Sequence, residues 1–162
     1  PAVEDYARFR AAGERQGAPW PAWPQPQRDG VLAEGDFGEE EKRYHLYVQW
    51  RAHEQLGALS AAGRDNGVGL FLDLPLGVHP DSYDVWRERA VFALGVSGGA
   101  PPDRFFIEGQ NRGCPPLHPE AIRAQGLPGL SDVAHRISKS QLRRDLDRAL
   151  KLDNGTMNTM RS

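Results

Sequence analysis

"VGLFLDLP", residues 68–75, is the stretch on which the fold turns. Val68, Leu70, Phe71 and Leu72 crowd together with no polar residue alternating between them. A strand that faces water on one side alternates apolar and polar residues; a strand buried on both faces does not need to. The run therefore predicts a buried strand of a mainly parallel sheet. Asp73 follows its last apolar residues, and Pro75 prevents the strand from going further. In parallel α/β folds the carboxyl ends of strands carry the chemistry. Asp73 is thus a functional candidate, with a turn-capping aspartate as the other reading.

Upstream lies the longest helical pattern, "EEEKRYHLYVQWRAHEQLGALSAAGRDNG", residues 39–67. Tyr44, Tyr47, Val48, Arg51, Gln55, Leu56, Leu59 and Ala62 recur at roughly helical spacing. Glu39, Glu40 and Glu41 suit the positive end of a helix dipole, and Gly67 is placed to end the helix in a left-handed conformation. Helix, tight turn and buried strand make an αβ unit. "VEDYARFRAAGERQG", residues 3–17, predicts another helix, with Val3, Tyr6 and Phe9 on one face and Gly17 as its stop. Between the two, "APWPAWPQPQRDG" holds four prolines around Trp20 and Trp23. An extended segment resting on its indoles is expected there.

Downstream the pattern is more broken. Residues 77–95 predict one or two helical turns from Asp84 to about Phe92, anchored by Trp86. Pro119 can open a short helix. From Ser131, Val133, Ile137, Leu142, Leu146 and Leu150 line one side of an amphipathic segment, and the last ten residues read as frayed. The fold class is α/β, with elaborate loops that account for 18 glycines and 13 prolines in 162 residues.

Bulk properties exclude several functions. A net charge of -2 with acids and bases interleaved argues against a nucleic-acid surface or a polybasic membrane anchor. No apolar run approaches the length of a membrane span. Cys114 is the single cysteine, so no internal disulfide can form and a cytoplasmic setting is expected. His45, His53, His79, His118 and His135 are scattered without metal-ligand spacing, so no metal site is expected. The phosphate-loop and dinucleotide patterns do not occur.

What remains is acids and aromatics. "APPDRFFIEGQNRG", residues 100–113, sets Asp103, Phe105, Phe106, Glu108 and Gln110 on one proline-stiffened loop, in an order that suits neither helix nor strand. Carbohydrate fits such a set. Carboxylates and amides take sugar hydroxyls, while flat rings stack on the C–H faces of the pyranose. A structural cap is the competing reading of the same loop.

Taken together, "DLPLGVHPDSYDVW" (73–86) and "GAPPDRFFIEGQNRGCPP" (99–116) resemble two motifs of the 4-α-glucanotransferases of glycoside hydrolase family 77, also called amylomaltases or disproportionating enzymes. "VEDYARFRA", the W-P-x-W-P segment and "YHLYVQWRAHEQL" extend the resemblance upstream, over roughly residues 3–126.

The resemblance implies a (β/α)8 TIM barrel with insertions, of which this chain would form an incomplete part over 1–126, followed by a divergent 127–162. It implies retaining transfer of α-1,4-glucan segments between maltooligosaccharides, through a carboxylate nucleophile and a second acid, with no organic cofactor. By position in the motifs, Asp103, Phe105 and Gln110 would line donor-side sugar sites and Asp73 would lie at the floor of the cleft. Arg112 stands where the family carries tryptophan.

The family's Arg-x-Asp-His nucleophile segment does not occur in the chain. By itself the chain is therefore expected to be inactive, a piece with unpaired strand edges and unusually exposed Trp and Phe residues. A non-catalytic α-glucan-binding protein and an unrelated αβ interaction module are the alternatives.

Overall fold

The computed structural model describes residues 2–70 and 77–124. They fall into two compact units, one from residues 2–18 and 32–70, the other from residues 19–31 and 77–124.

The first unit is a pair of helices. α1 spans Ala2–Gln16 and stops, as the sequence predicts, at Gly17, whose φ is +62°. It buries Val3, Ala7, Phe9, Ala11 and Ala12, while Tyr6 is only half-buried. The alanines matter because a methyl lets a neighbouring helix approach closely, a signal that a search for large apolar residues passes over. α3 spans Glu39–Asp65. Its end is a left-handed glycine cap: Gly67 has φ +72°, and the Val68 N–H donates to the Gly63 carbonyl at 2.8 Å.

α3 packs on α1 with a face the sequence pattern did not select. His45 is its one buried residue. The His45 Nε2–H donates to Glu14 Oε1 of α1 at 2.8 Å. Below it Phe37 is buried, with the Arg8 guanidinium 5.8 Å and the Lys42 ammonium 5.5 Å from its ring centre. The stripe expected to be the core face, including Tyr44, Tyr47, Val48, Leu56 and Leu59, is exposed. Periodicity finds a helix but does not say whether its apolar stripe is covered.

The strand expected from Val68 is not formed over the residues described. Val68–Leu70 has no partner strand, and Val68 and Leu70 are exposed. Phe71, Leu72 and Asp73 lie outside the described residues, as does the amphipathic pattern from Ser131.

The second unit is built around Trp86. A 3₁₀ turn at Trp20–Ala22 and a short helix, α2 (Gln25–Arg28), replace the extended segment expected between α1 and α3. The prolines permit this because each helical turn places them in its first positions, where a missing N–H breaks no bond. Trp20 and Trp23 are thereby buried, and Trp23 meets Trp86 edge-on with ring centres 6.3 Å apart.

Each indole nitrogen with a named partner donates to a carbonyl: Trp86 Nε1 to Gln27 at 2.9 Å, Trp20 Nε1 to Pro80 at 3.0 Å. The unusually exposed tryptophans expected of a broken fold are therefore not found at positions 20, 23 and 86. Phe105 and Phe106, by contrast, are exposed, as that expectation has it.

α4 (Tyr83–Arg87) carries Trp86 and starts at Ser82, whose Oγ accepts from the Val85 N–H at 3.4 Å. Asp84 is in its first turn. Burial pushes the Asp84 carboxyl above its ordinary pKa, an effect opposed by a backbone hydrogen bond and reinforced by the charge of Glu88. A 3₁₀ turn, Arg89–Val91, follows. Phe92 then forms an isolated antiparallel bridge with Leu117, leading to α5 (Pro119–Ala124), which begins at the expected proline and buries Ile122.

Among the described residues the sheet of this unit has two strands, β1 (Gly98–Ala100) and β2 (Gln110–Cys114), paired antiparallel. The observed architecture is mixed helix and strand. The residues at both ends of "APPDRFFIEGQNRG" belong to this hairpin, a correction to the reading that no strand suits the stretch. Glycine-rich, apolar-poor strands carry no alternating pattern by which they could be found.

Candidate functional site

β1 and β2 hold a nine-residue connection, 101–109, between the paired residues Ala100 and Gln110. Two glycines allow the strands to close this tightly. A methyl on Gly99 would sit 2.0 Å from the Gln110 carbonyl oxygen. One on Gly109 would sit 2.8 Å from the Ala100 carbonyl oxygen, and Gly109 has φ +78°. Only glycine meets both demands at 109.

Asp103 organises the loop from inside. Its Oδ1 accepts from the Phe105 N–H at 2.8 Å and the Phe106 N–H at 2.7 Å. The Phe106 carbonyl in turn accepts from the Asp103 N–H at 3.0 Å and the Gly109 N–H at 2.9 Å. One oxygen of Asp103 is thus committed to the turn, as an aspartate that mimics a backbone turn would be. Its second oxygen has no hydrogen bond among the described residues.

The capping reading and the sugar-binding reading of Asp103 are therefore compatible. One carboxylate oxygen shapes the loop while the other stays available as an acceptor.

The loop lifts its aromatics into solvent. Phe105 is 86% exposed, and Ile107 and Phe106 are exposed beside it. An exposed phenylalanine at a rigidly braced turn presents a flat apolar face at little cost in side-chain freedom. Gln110 is half-buried at the foot of the loop, where β2 begins. The hairpin thus brings Asp103, Phe105 and Gln110 onto one element. Asp73 falls outside the described residues.

Past Asn111 the register slips, and two residues, Arg112 and Gly113, bulge out opposite the junction of Gly98 and Gly99. Asn111 braces the bulge: its Oδ1 accepts from the Ser97 hydroxyl at 2.6 Å and the Gly113 N–H at 2.9 Å. Sequence reading singled out Gln110 and missed Asn111, Gly99 and Gly109. The glycines were the available signal, since a positive φ or a close backbone approach is what fixes glycine at a position.

Among the described residues, no group of three or more His, Cys, Asp or Glu side chains is placed to hold a metal ion. Among the same residues, no helix is long and apolar enough to cross a membrane.

Comparison with known proteins covers most of this chain. The family model described as 4-alpha-glucanotransferase, for glycoside hydrolase family 77, matches residues 1–139. Among its relatives are several that carry the name 4-alpha-glucanotransferase. That of Mycobacterium tuberculosis H37Rv is 35% identical over 130 residues, 76% of this chain and 18% of the relative. That of Thermus thermophilus is 35% identical over 136 residues, 77% of this chain and 27% of the relative. That of Chlamydia caviae is 37% identical over 116 residues, 67% of this chain and 21% of the relative. The chain spans less than a third of the length of each of these three.

Proposed function

The chain belongs to glycoside hydrolase family 77, the 4-alpha-glucanotransferases, and from that membership we propose that it forms a glucan-binding portion of a retaining transferase. The reaction moves α-1,4-glucan segments between maltooligosaccharides. The two units are pieces of a (β/α)8 barrel with insertions. The hairpin loop 101–109 is one of its substrate-holding loops. In this reading Asp103 accepts from a sugar hydroxyl with its second oxygen, Phe105 stacks on a pyranose face, and Gln110 bonds a neighbouring hydroxyl through its amide. Asp73, by its position in the motif, is a further sugar-binding carboxylate.

One observation carries the proposal. The residues of the family motif coincide with a loop that is braced from within and displays its aromatic ring outward. A loop that served only as a cap would gain from burying Phe105, because its exposed apolar surface contributes nothing to folding. No residue described supplies the nucleophile or the proton-donating acid. The setting is cytoplasmic, a reading supported by the solitary Cys114.

Isothermal titration of the purified chain with maltotriose tests the binding role. Heat of binding is expected, and it is expected to be reduced in Phe105→Ala and Asp103→Ala. Glucose release from maltotriose by the same sample is expected to stay at background. No binding by the folded chain rejects the loop assignment, whereas robust turnover places catalytic acids within these 162 residues.

A further inference from the structure

Behind the hairpin the second unit holds a groove of about 660 Å³. Trp20, Pro21, Pro80, Leu94 and Val96 give it apolar walls, and Asp81, Ser97 and Asn111 give it polar atoms. This volume lies within the range of ligand pockets, and the mix of mostly apolar lining with a few polar groups is the one such pockets share.

The groove is not the loop site. Gln110 and Asn111 are consecutive in β2, and both keep the hairpin register. Their side chains therefore leave opposite faces of the ribbon.

The hydrogen-bonding state of the polar groups can be worked out. Asn111 Oδ1 already accepts from Ser97 and from the Gly113 N–H. The Gly113 N–H can only donate, so it fixes the oxygen assignment of this amide. Its Nδ2 keeps two N–H groups with no hydrogen bond among the described residues. Asp81 lies 3.9 Å from His79 Nδ1, but that nitrogen accepts the Asp81 backbone N–H at 3.1 Å. At 3.9 Å the carboxylate makes no hydrogen bond to that nitrogen, and its oxygens stay available as acceptors. The groove thus offers a donor at Asn111 and an acceptor at Asp81, between apolar walls.

A hydroxyl both gives and takes a hydrogen bond, and a pyranose carries hydroxyls around its edge and C–H groups on its faces. A cation would need more oxygen ligands than a single carboxylate provides.

We propose that this groove is a second carbohydrate site, which takes glucose units of an α-glucan on the side of the hairpin opposite Gln110. Asp81 accepts from sugar hydroxyls, Asn111 Nδ2 donates to them, and Trp20, Leu94 and Val96 cover the C–H faces. The identity of the sugar rests on the proposed function, while the groove and its polar pair do not.

The test is a ¹⁵N NMR titration of the whole purified chain with maltotriose. The Asn111 side-chain amide and the Trp20 indole N–H report the groove; the Phe106 and Gly109 amides report the loop. Both sets are expected to shift, with separate dissociation constants. Asp81→Ala is expected to weaken the groove response about tenfold and leave the loop response unchanged. Leu94→Arg, at an exposed wall position, is expected to abolish the groove response.

Groove signals that stay still while the loop signals move overturn the second site and leave the proposed function standing. An Asp81→Ala chain that binds as tightly as the parent also overturns it. Groove signals that move while the loop signals stay still support the second site and reject the loop assignment. If neither set moves, both fall.

Discussion

Two segments of this chain look alike on paper and behave in opposite ways. Residues 18–28 and residues 100–109 are both rich in proline and aromatics. The first buries Trp20 and Trp23 to 7% and 4% exposure; the second leaves Phe105 at 86%. The difference lies in what each segment meets. Trp23 meets the Trp86 ring, Trp20 donates its indole N–H to the Pro80 carbonyl, and Trp86 donates its own to the Gln27 carbonyl of the segment. The phenylalanines have no polar atom to satisfy and sit at the tip of a turn whose bonds run inward to Asp103. Proline beside an aromatic ring therefore marks a stiff segment, and only the surroundings decide whether the ring is buried or left in solvent.

The contrast can be broken or sharpened by substitution, beginning with the largest effect. Trp86→Ala removes the ring on which the tryptophan segment rests, and a loss of about 3–5 kcal/mol is expected in chemical denaturation. A loss under about 1 kcal/mol would mean that the segment holds itself. Gly99→Ala forces a methyl into the Gln110 carbonyl, and a loss of about 1–3 kcal/mol is expected, together with lost maltotriose binding. Asp103→Ala removes two hydrogen bonds from an exposed turn. It is expected to cost about 1 kcal/mol of stability by the same denaturation measurement.

Asp84 tests the buried side of the comparison through pH. Burial raises its carboxyl, so the folded chain holds that proton up to a higher pH than the unfolded chain does. The folded state then binds more protons between the ordinary and the raised pKa, and stability falls as pH rises through that window. Asp84→Asn is expected to flatten this slope and to melt higher than the parent at neutral pH, read by thermal scans at several pH values. Phe105→Ala comes last: a stability change within about 0.5 kcal/mol. A larger loss would mean that this ring packs in solution.

Much of the helical structure was legible in the sequence because its signals are local. Gly17 and Gly67 end α1 and α3 where a positive φ is needed, and Pro119 opens α5. Trp86 was readable as an anchor because so large a ring is seldom left uncovered. What failed depends on partners distant in the chain. The exposed stripe of α3 has the same spacing as a buried one. The turns at Trp20 and Gln25 need Trp86, some sixty residues away, to be worth forming. The hairpin is built from glycines, which have no side chain to show a pattern.

The loop and its three candidate residues were selected by motif, and their sugar-binding role is a proposal. The half of Asp103 that is spent on the turn was not legible, since a sequence does not say which oxygen bonds what. Asp73 stays a sequence-based assignment.

The unequal lengths of the paired helices have a last consequence. α3 has 27 residues against 15 in α1, and its only buried side chain, His45, lies in its second turn. Beyond that anchor no α3 side chain is fully buried, so the far turns lean more on the helix's own ladder, which is marginal in water. Opening can therefore start at the Asp65 end and travel inward like a zipper without disturbing the interior. Amide protons near Leu59 should exchange with deuterium well before those near His45, and trypsin should cut after Arg64 before it cuts after Arg43.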